Sequence, residues 1–194
     1  MATLSQSKIK GEDQVIDPKL FLLYVFLVSV FMLFAGLTSA FIVSKGDKIW
    51  QNVTLPPAFT WSTVLIVLSS VSMQMAFQSA KNNLILRNRV FLGITLLLGA
   101  GFMLSQYTGY IQLQKNGFFL VGENTISSFV YLISGIHLAH IVCAFLLVGF
   151  NLYQSFNYKI HSKSLNGIRI CNTFWHFLGI VWVYLFLFFI YNNA

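Results

Sequence analysis

Five stretches of the chain contain no Asp, Glu, Lys or Arg: Phe21–Val43, Phe59–Phe77, Phe91–Ile111, Ile126–Phe150 and Ile170–Tyr191. Each is close to the roughly 20 residues a helix needs to cross a hydrocarbon core of about 30 Å. Membrane strands are about half as long and alternate in polarity, which these stretches do not. Lipid offers the backbone no hydrogen-bond partners, so long unbroken apolar runs are predicted to be helices. The joints carry turn chemistry. Ser44–Ala58 contains Gly46, Asp47, Pro56 and Pro57, and Gln112–Thr125 contains Gly117, Gly122 and Glu123. Pro18, Pro56 and Pro57 stand just ahead of helices, where a missing N–H costs little. The pattern predicts an all-α, polytopic membrane helix bundle. A polar tail over residues 1–20 precedes one five-helix transmembrane domain over residues 21–194.

Charge gives this bundle a direction. Lys8, Lys10 and Lys19 lie in the tail, Lys81, Arg87 and Arg89 in the second connection, and Lys159, Lys163 and Arg169 in the fourth. These segments share one side of the membrane. The other side has only Lys45, Lys48 and Lys115. The excess places the N-terminus inside and the C-terminus outside. Trp50 and Trp61 toward the outer surface, with Tyr153 and Tyr158 toward the inner one, read as interfacial aromatics.

Composition agrees with a lipid-solvated chain. It is 57% hydrophobic and only 9% charged, where a soluble domain is about a quarter charged. The formal net charge of +7 matters here through its placement rather than its sum. The tail contains Glu12, Asp13 and Asp17 and does not look like a signal peptide, so the first span is expected to be retained. Cys143 and Cys171 fall in or beside apolar runs and are read as small buried residues, not as a disulfide framework.

All five acids (Glu12, Asp13, Asp17, Asp47 and Glu123) lie outside the spans. Pumps and ion-coupled transporters usually keep an ionisable group near midplane, so autonomous transport is disfavoured. The polar exceptions within the spans are Gln74, Gln106, His137, His140 and His176. Histidines invite a haem or metal reading. His137 and His140 share a helix face. His140 lies about 15 Å from the inner end of its span and His176 about 9 Å from the inner end of its own. That mismatch is modest, but no histidine has an obvious partner for bis-histidine ligation, and hydrogen bonding across helix contacts is the preferred reading. Gly36 with Ala40, Ala35 with Ser39, and Gly135 with Ala139 form small-xxx-small steps that predict close helix contacts, so a bulky residue at Gly135 is expected to harm packing. Asn52-Val53-Thr54 matches a glycosylation acceptor, a short and readily accidental match. No phosphate loop, nucleophile motif or Cys/His metal cluster is present, and no nucleic-acid partner is expected.

Several segments resemble one family. Gly135-Ile-His137-Leu-Ala-His140, preceded by Ser128-Phe129, is similar to an S-F-x-x-x-T-G-x-H-x-x-H helix. Trp175-His176-Phe177 with Val181-Trp182 is similar to a W-H-F-V-D-x-V-W closing helix. Gly101-Phe102 with Gln106 and Tyr110 follows G-x-x-F-x-x-x-Q-x-x-E-Y in outline, and Ser29 through Gly36 resembles S-E-x-M-F-F-A-G. The entry Leu55 to Thr63, running on to Leu68-Ser-Ser70, is similar in a more generic way. These are patterns of subunit III of the haem–copper respiratory oxidases, in its short five-helix form. The resemblance covers about residue 20 to the C-terminus, and its specific part is the pair of histidine and tryptophan helices. The chain departs from it at three acidic landmarks, with Val30, Gly109 and Gly179 where the family pattern has Glu, Glu and Asp.

The resemblance implies a non-catalytic subunit of a cytochrome c or quinol oxidase, whose complex reduces oxygen to water. Haem and copper are then expected in partner subunits, with none bound by this chain and no catalytic, cofactor or metal residue in it. Subunit I is the implied catalytic partner, with subunits II and IV, membrane phospholipid and a respiratory supercomplex as further partners. A V-shaped bundle holding lipid in its cleft is implied as well. Gln106, Tyr110, Gly135, His137, His140, Trp175, His176 and Trp182 are expected to make structural, subunit or lipid contacts. The role linked with the family's first-helix carboxylate in proton uptake does not carry over to Val30. The short form leans toward a bacterial inner membrane. Two other readings stand beside this one: a related accessory protein of a nitric oxide reductase, and a stand-alone five-helix transporter or cytochrome.

Overall fold

The computed structural model describes residues 18–44, 56–120, 125–156 and 166–193. These form five helices: α1 (Pro18–Ser44), α2 (Pro57–Lys81), α3 (Ile85–Lys115), α4 (Thr125–Phe156) and α5 (Asn166–Asn193). All five are long and apolar enough to cross a membrane. Each runs beyond the charge-free span predicted for it. In α1, α2, α3 and α5 the added turns carry lysine or arginine, whose aliphatic stems stay against the bundle while the charge reaches the surface, and in α4 they are the mostly polar and aromatic residues Asn151–Phe156.

The helices stop where the backbone permits it. Asn83 has φ 55° and Gly117 has φ 83°, and Gly and Asn are the residue types that take the left-handed region at least cost. After α2, Leu84 N–H donates to Ser79 O and Asn83 N–H to Ala80 O. After α3, Phe118 N–H donates to Leu113 O and Gly117 N–H to Gln114 O. Both are Schellman closures that satisfy the last carbonyls. Pro18 and Pro57 are the first residues of α1 and α2, a position where the missing N–H has no helical acceptor in any case.

Helices α2, α3, α4 and α5 pack as a ring in which each touches its two neighbours, and α1 lies outside against α4 and α5. The α2–α3 pairing is the closest. Its cause is the small face of α2, where Ala58, Ser62, Ser69, Ser72, Ala76, Ser79 and Ala80 are all buried. Hydrogen bonds lace this seam along its length. Ser105 Oγ donates to Ala58 O (2.7 Å), Ser72 Oγ to Phe91 O (2.9 Å) and Asn88 Nδ2 to Ala76 O (2.9 Å). In lipid, where apolar burial gives helices little reason to associate, such bonds and close packing hold a bundle together.

Two expectations need correction. Cys171 is buried but Cys143 is exposed. The buried face of α4 runs through Val130, Ile133, His137, Ile141, Ala144 and Val148, and Cys143, two residues past Ile141, points to the opposite side. The predicted small-residue steps are not close contacts within this chain either. Ala35, Gly36, Ser39, Ala40 and Ala139 are exposed, and a Cβ at Gly36 or Gly135 meets nothing within 4 Å. The tight glycines are elsewhere. A Cβ on Gly99 meets the Trp175 ring at 2.9 Å, on Gly109 the Phe59 ring at 2.9 Å, and on Gly179 the Ser70 Oγ at 2.9 Å.

Trp61 and Tyr153 are exposed near helix ends, while Trp50, Tyr158, the glycosylation match and all five acids lie outside the described residues. Of the described lysines and arginines, Lys19, Lys81, Arg87, Arg89 and Arg169 gather at one end of the bundle and Lys115 stands at the other.

Candidate functional site

The centre of the four-helix ring is an aromatic stack built around Trp182 of α5. Its indole lies parallel to the His137 ring of α4 (centroids 5.2 Å, 30°) and to Phe59 of α2 (6.0 Å, 15°). Phe102 of α3 meets it edge-on at 5.2 Å. Trp182 Nε1–H donates to Thr63 Oγ1 (3.0 Å), so one side chain joins all four ring helices. Trp175, two turns earlier on α5, is also fully buried. Its Nε1–H donates to Ser69 Oγ (2.8 Å), and its ring lies on Gly99. A buried indole needs a partner for its N–H, and Ser69 and Thr63 of α2 supply one each.

His137 is wholly buried. Besides Trp182, its ring meets Phe102 at 6.3 Å and Phe34 of α1 at 5.8 Å, edge-on in both cases. Neither ring nitrogen has a hydrogen-bond partner among the described residues. His140, on the same face, donates from Nδ1 to Ile136 O in its own helix (2.8 Å) and packs against Phe34. Gln106 Nε2 donates to Ser62 Oγ (2.8 Å), and one turn on Tyr110 donates to Ser134 Oγ (3.1 Å). Gly135 is half-buried beside this column.

His176 sits apart. Its Nε2 and Asn172 Nδ2 both donate to Gln74 Oε1, each at 3.2 Å, on the outer α2–α5 face. The predicted residues thus divide between a central stack (Trp182, His137, His140, Trp175, Gln106 and Tyr110) and a peripheral polar pair around His176. No ring contact or hydrogen bond joins His176 to the other two histidines among the described residues.

This donor set is not gathered into a metal cluster. Among the described residues no three His, Cys, Asp or Glu side chains converge. His176 is bonded to Gln74, and His137 is enclosed by aromatic rings. No carboxylate occurs on any described helix.

Sequence reading missed a second polar cluster, at the basic end. Asn88 is buried (1% exposed) and accepts from Ser155 Oγ (3.1 Å) while its Nδ2 bonds Ala76 O. Arg89 donates from Nε and Nη2 to Ser155 O (3.2 and 2.8 Å) and lies over the Phe156 ring at 5.0 Å. The signal was available: Asn88 and Arg89 lie one turn before Phe91, so a helix extended backward carries them along the ring's inner faces.

With this geometry in place, the family can be identified. The family described as cytochrome c oxidase subunit III matches residues 5–194. The chain belongs to the cytochrome c oxidase subunit III family. It is 29% identical over 174 residues to cytochrome c oxidase subunit 3 of Corynebacterium diphtheriae, covering 84% of this chain and 82% of that protein. It is 26% identical to cytochrome bo(3) ubiquinol oxidase subunit 3 of a Buchnera aphidicola, covering 94% and 96%. It is 24% identical to cytochrome c oxidase subunit 3 of Bacillus subtilis, covering 84% and 81%. Subunit III relatives of both cytochrome c and quinol oxidases therefore match. The chain is a subunit III of a haem–copper oxidase, a non-catalytic subunit of a complex that also contains a catalytic one. With its five spans and bacterial relatives, it is a multi-pass protein of a bacterial inner membrane.

Proposed function

We propose that this subunit III acts as a rigid, lipid-holding scaffold that stabilises the catalytic subunit I, with subunits II and IV and a respiratory supercomplex as the wider assembly. The observation that carries this reading is the central stack, where the indoles and amide of the predicted site are spent on joining helices. Trp182, Trp175 and Gln106 each direct a donor to a hydroxyl of α2. Residues 21–194 act as one transmembrane unit, with the basic end and the tail of residues 1–20 inside. Gly135, His140 and the exposed faces of α1 and α4 are the surfaces left to meet partner subunits or lipid. An apolar groove of about 300 Å³ between α1 and α5, lined by Phe31, Phe34, Phe177 and Tyr184, suits an acyl chain. Haem, copper and oxygen chemistry belong to the partners.

The positions of the missing acids support a role without proton conduction. Val30, Gly109 and Gly179 are all buried, and two of them are sites of tight packing. The test is to purify the tagged chain from native membranes in mild detergent. A large co-purifying subunit carrying haem and copper is expected. A stoichiometric b-type Soret band from the chain alone overturns the scaffold reading.

A further inference from the structure

We infer that the groove beside the α2–α3 turn is a binding site for one anionic phospholipid, its headgroup held by Arg87. The groove has a volume of about 410 Å³. Its rim is polar, formed by Gln78, Asn82 and Arg87, and its walls are apolar, including Met75, Val90 and Phe91. It sits where two membrane-spanning helices meet at the bundle's basic end, so its polar rim lies at headgroup level and its walls descend into hydrocarbon.

The two arginines of this turn have different employment. Arg89 is directed inward to the last turn of α4. Arg87, two residues earlier and so about 200° around the helix, is exposed and opens on the groove. No carboxylate lies among the described residues, so none of them pairs with it. A guanidinium flanked by two amide side chains is a phosphate-binding donor set.

The track for the acyl chains continues from it. Val90, Ile94 and Leu97 are exposed, at 54%, 37% and 76%, and their spacing puts them on one stripe of α3. From Arg87 to Leu97 the helix rises about 15 Å, half of a hydrocarbon core of about 30 Å. Headgroup anchor and apolar stripe together match the depth of a single leaflet. The occupant is therefore a membrane phospholipid with net negative charge, rather than free phosphate.

This deepens the lipid-holding reading above and fails separately from it. The experiment titrates the full chain, with the complex that co-purifies in mild detergent, with phosphatidylglycerol and with phosphatidylcholine, reading bound lipid by native mass spectrometry. One phosphatidylglycerol is expected, with phosphatidylcholine weaker. Arg87→Gln is expected to weaken phosphatidylglycerol about fivefold, the effect of one surface cation on an anionic lipid, and to leave phosphatidylcholine unchanged. Val90→Trp keeps the charge but fills the groove, and is expected to remove the bound lipid. Both residues are exposed, so the fold tolerates either change. Millimolar inorganic phosphate is expected not to displace the lipid. A photo-crosslinker at position 90 is expected to give a lipid adduct. Equal binding of the two lipids, wild-type binding by both variants, displacement by phosphate, or a protein adduct at position 90 each overturns the site. Any of these with the haem-containing partner still attached rejects this groove and leaves the scaffold role standing.

Discussion

Substituting Gly109 by alanine tests whether the tight glycines of α3 and α5 set the packing of the bundle. The added Cβ lies 2.9 Å from Cε2 and 3.2 Å from Cδ2 of Phe59, and 3.6 Å from the Cβ of Ala58. Phe59 is fully buried, with Trp182 stacked against it and Tyr110 edge-on, so its ring has little room to retreat. Over-packing of this kind costs about 1–3 kcal/mol. Alanine also gains roughly 1 kcal/mol over glycine in a helix interior, which would mask part of the loss. Gly135→Ala is the matched control, because its Cβ meets nothing within 4 Å and the helix gain is the same. The difference between the two variants is then the packing penalty alone. For a chain of this size each kcal/mol moves the midpoint by about 2–4 °C, so a gap of roughly 2–12 °C is expected. The assay is thermal unfolding in mild detergent, followed through the near-UV signal of the stacked tryptophans. If Gly109→Ala melts at or above Gly135→Ala, the close contact does not limit packing and the reasoning fails. Phe59→Leu in the Gly109→Ala background should narrow the gap.

Three further outcomes are expected. Trp182→Phe keeps most of the stack but loses the bond to Thr63, which should cost about 0.5–1.5 kcal/mol. In a double-mutant cycle with Thr63→Val the two losses should not add, and full additivity would show that the bond contributes nothing. Asn88→Leu removes the donor to Ala76 O and the acceptor for Ser155 Oγ, and should lower stability by about 1–3 kcal/mol, read as earlier thermal unfolding. Replacing His137 and His140 together by leucine should reduce the yield of assembled complex while leaving turnover in the complexes that form. Complete loss of activity in a fully assembled, metal-replete complex would contradict a structural role for these histidines.

The helices were legible because lipid demands long unbroken apolar runs, and nothing else in the sequence competes with that signal. Their ends were less so. Charges at Lys81, Arg87 and Arg89 mark the membrane surface, whereas the turn after α2 is made by Asn83, whose left-handed backbone leaves only a weak trace in composition. The histidine and tryptophan motifs carried the family resemblance, but not the depth of each residue: His137 and Trp182 meet at the centre while His176 lies on the outer face. The packing glycines were misplaced for a different reason. Small-xxx-small steps report which residues allow close approach, not which face of the helix is turned inward. Gly36 and Gly135 have the spacing on the wrong side, while Ser72, Ala76 and Ala80 have it on the buried face of α2. In a chain apolar on every side, polarity gives no inside and outside to choose between.

The glycines at 109 and 179 also bear on the order in which changes can accumulate. At 179, any side chain must first displace the Ser70 hydroxyl, and at 109 it must first displace a ring held in a stack. A carboxylate at 109 therefore needs a second substitution at Phe59, made beforehand or together with it, whereas at 179 a rotation of the Ser70 hydroxyl makes the room. Val30 already carries a side chain and has no such barrier, although a charge there would be buried on α1. Engineering acids into this subunit is thus a one-step problem at 30 and 179 and a two-step problem at 109. The Phe59 ring, held in its stack, acts as a lock on any side chain added at 109.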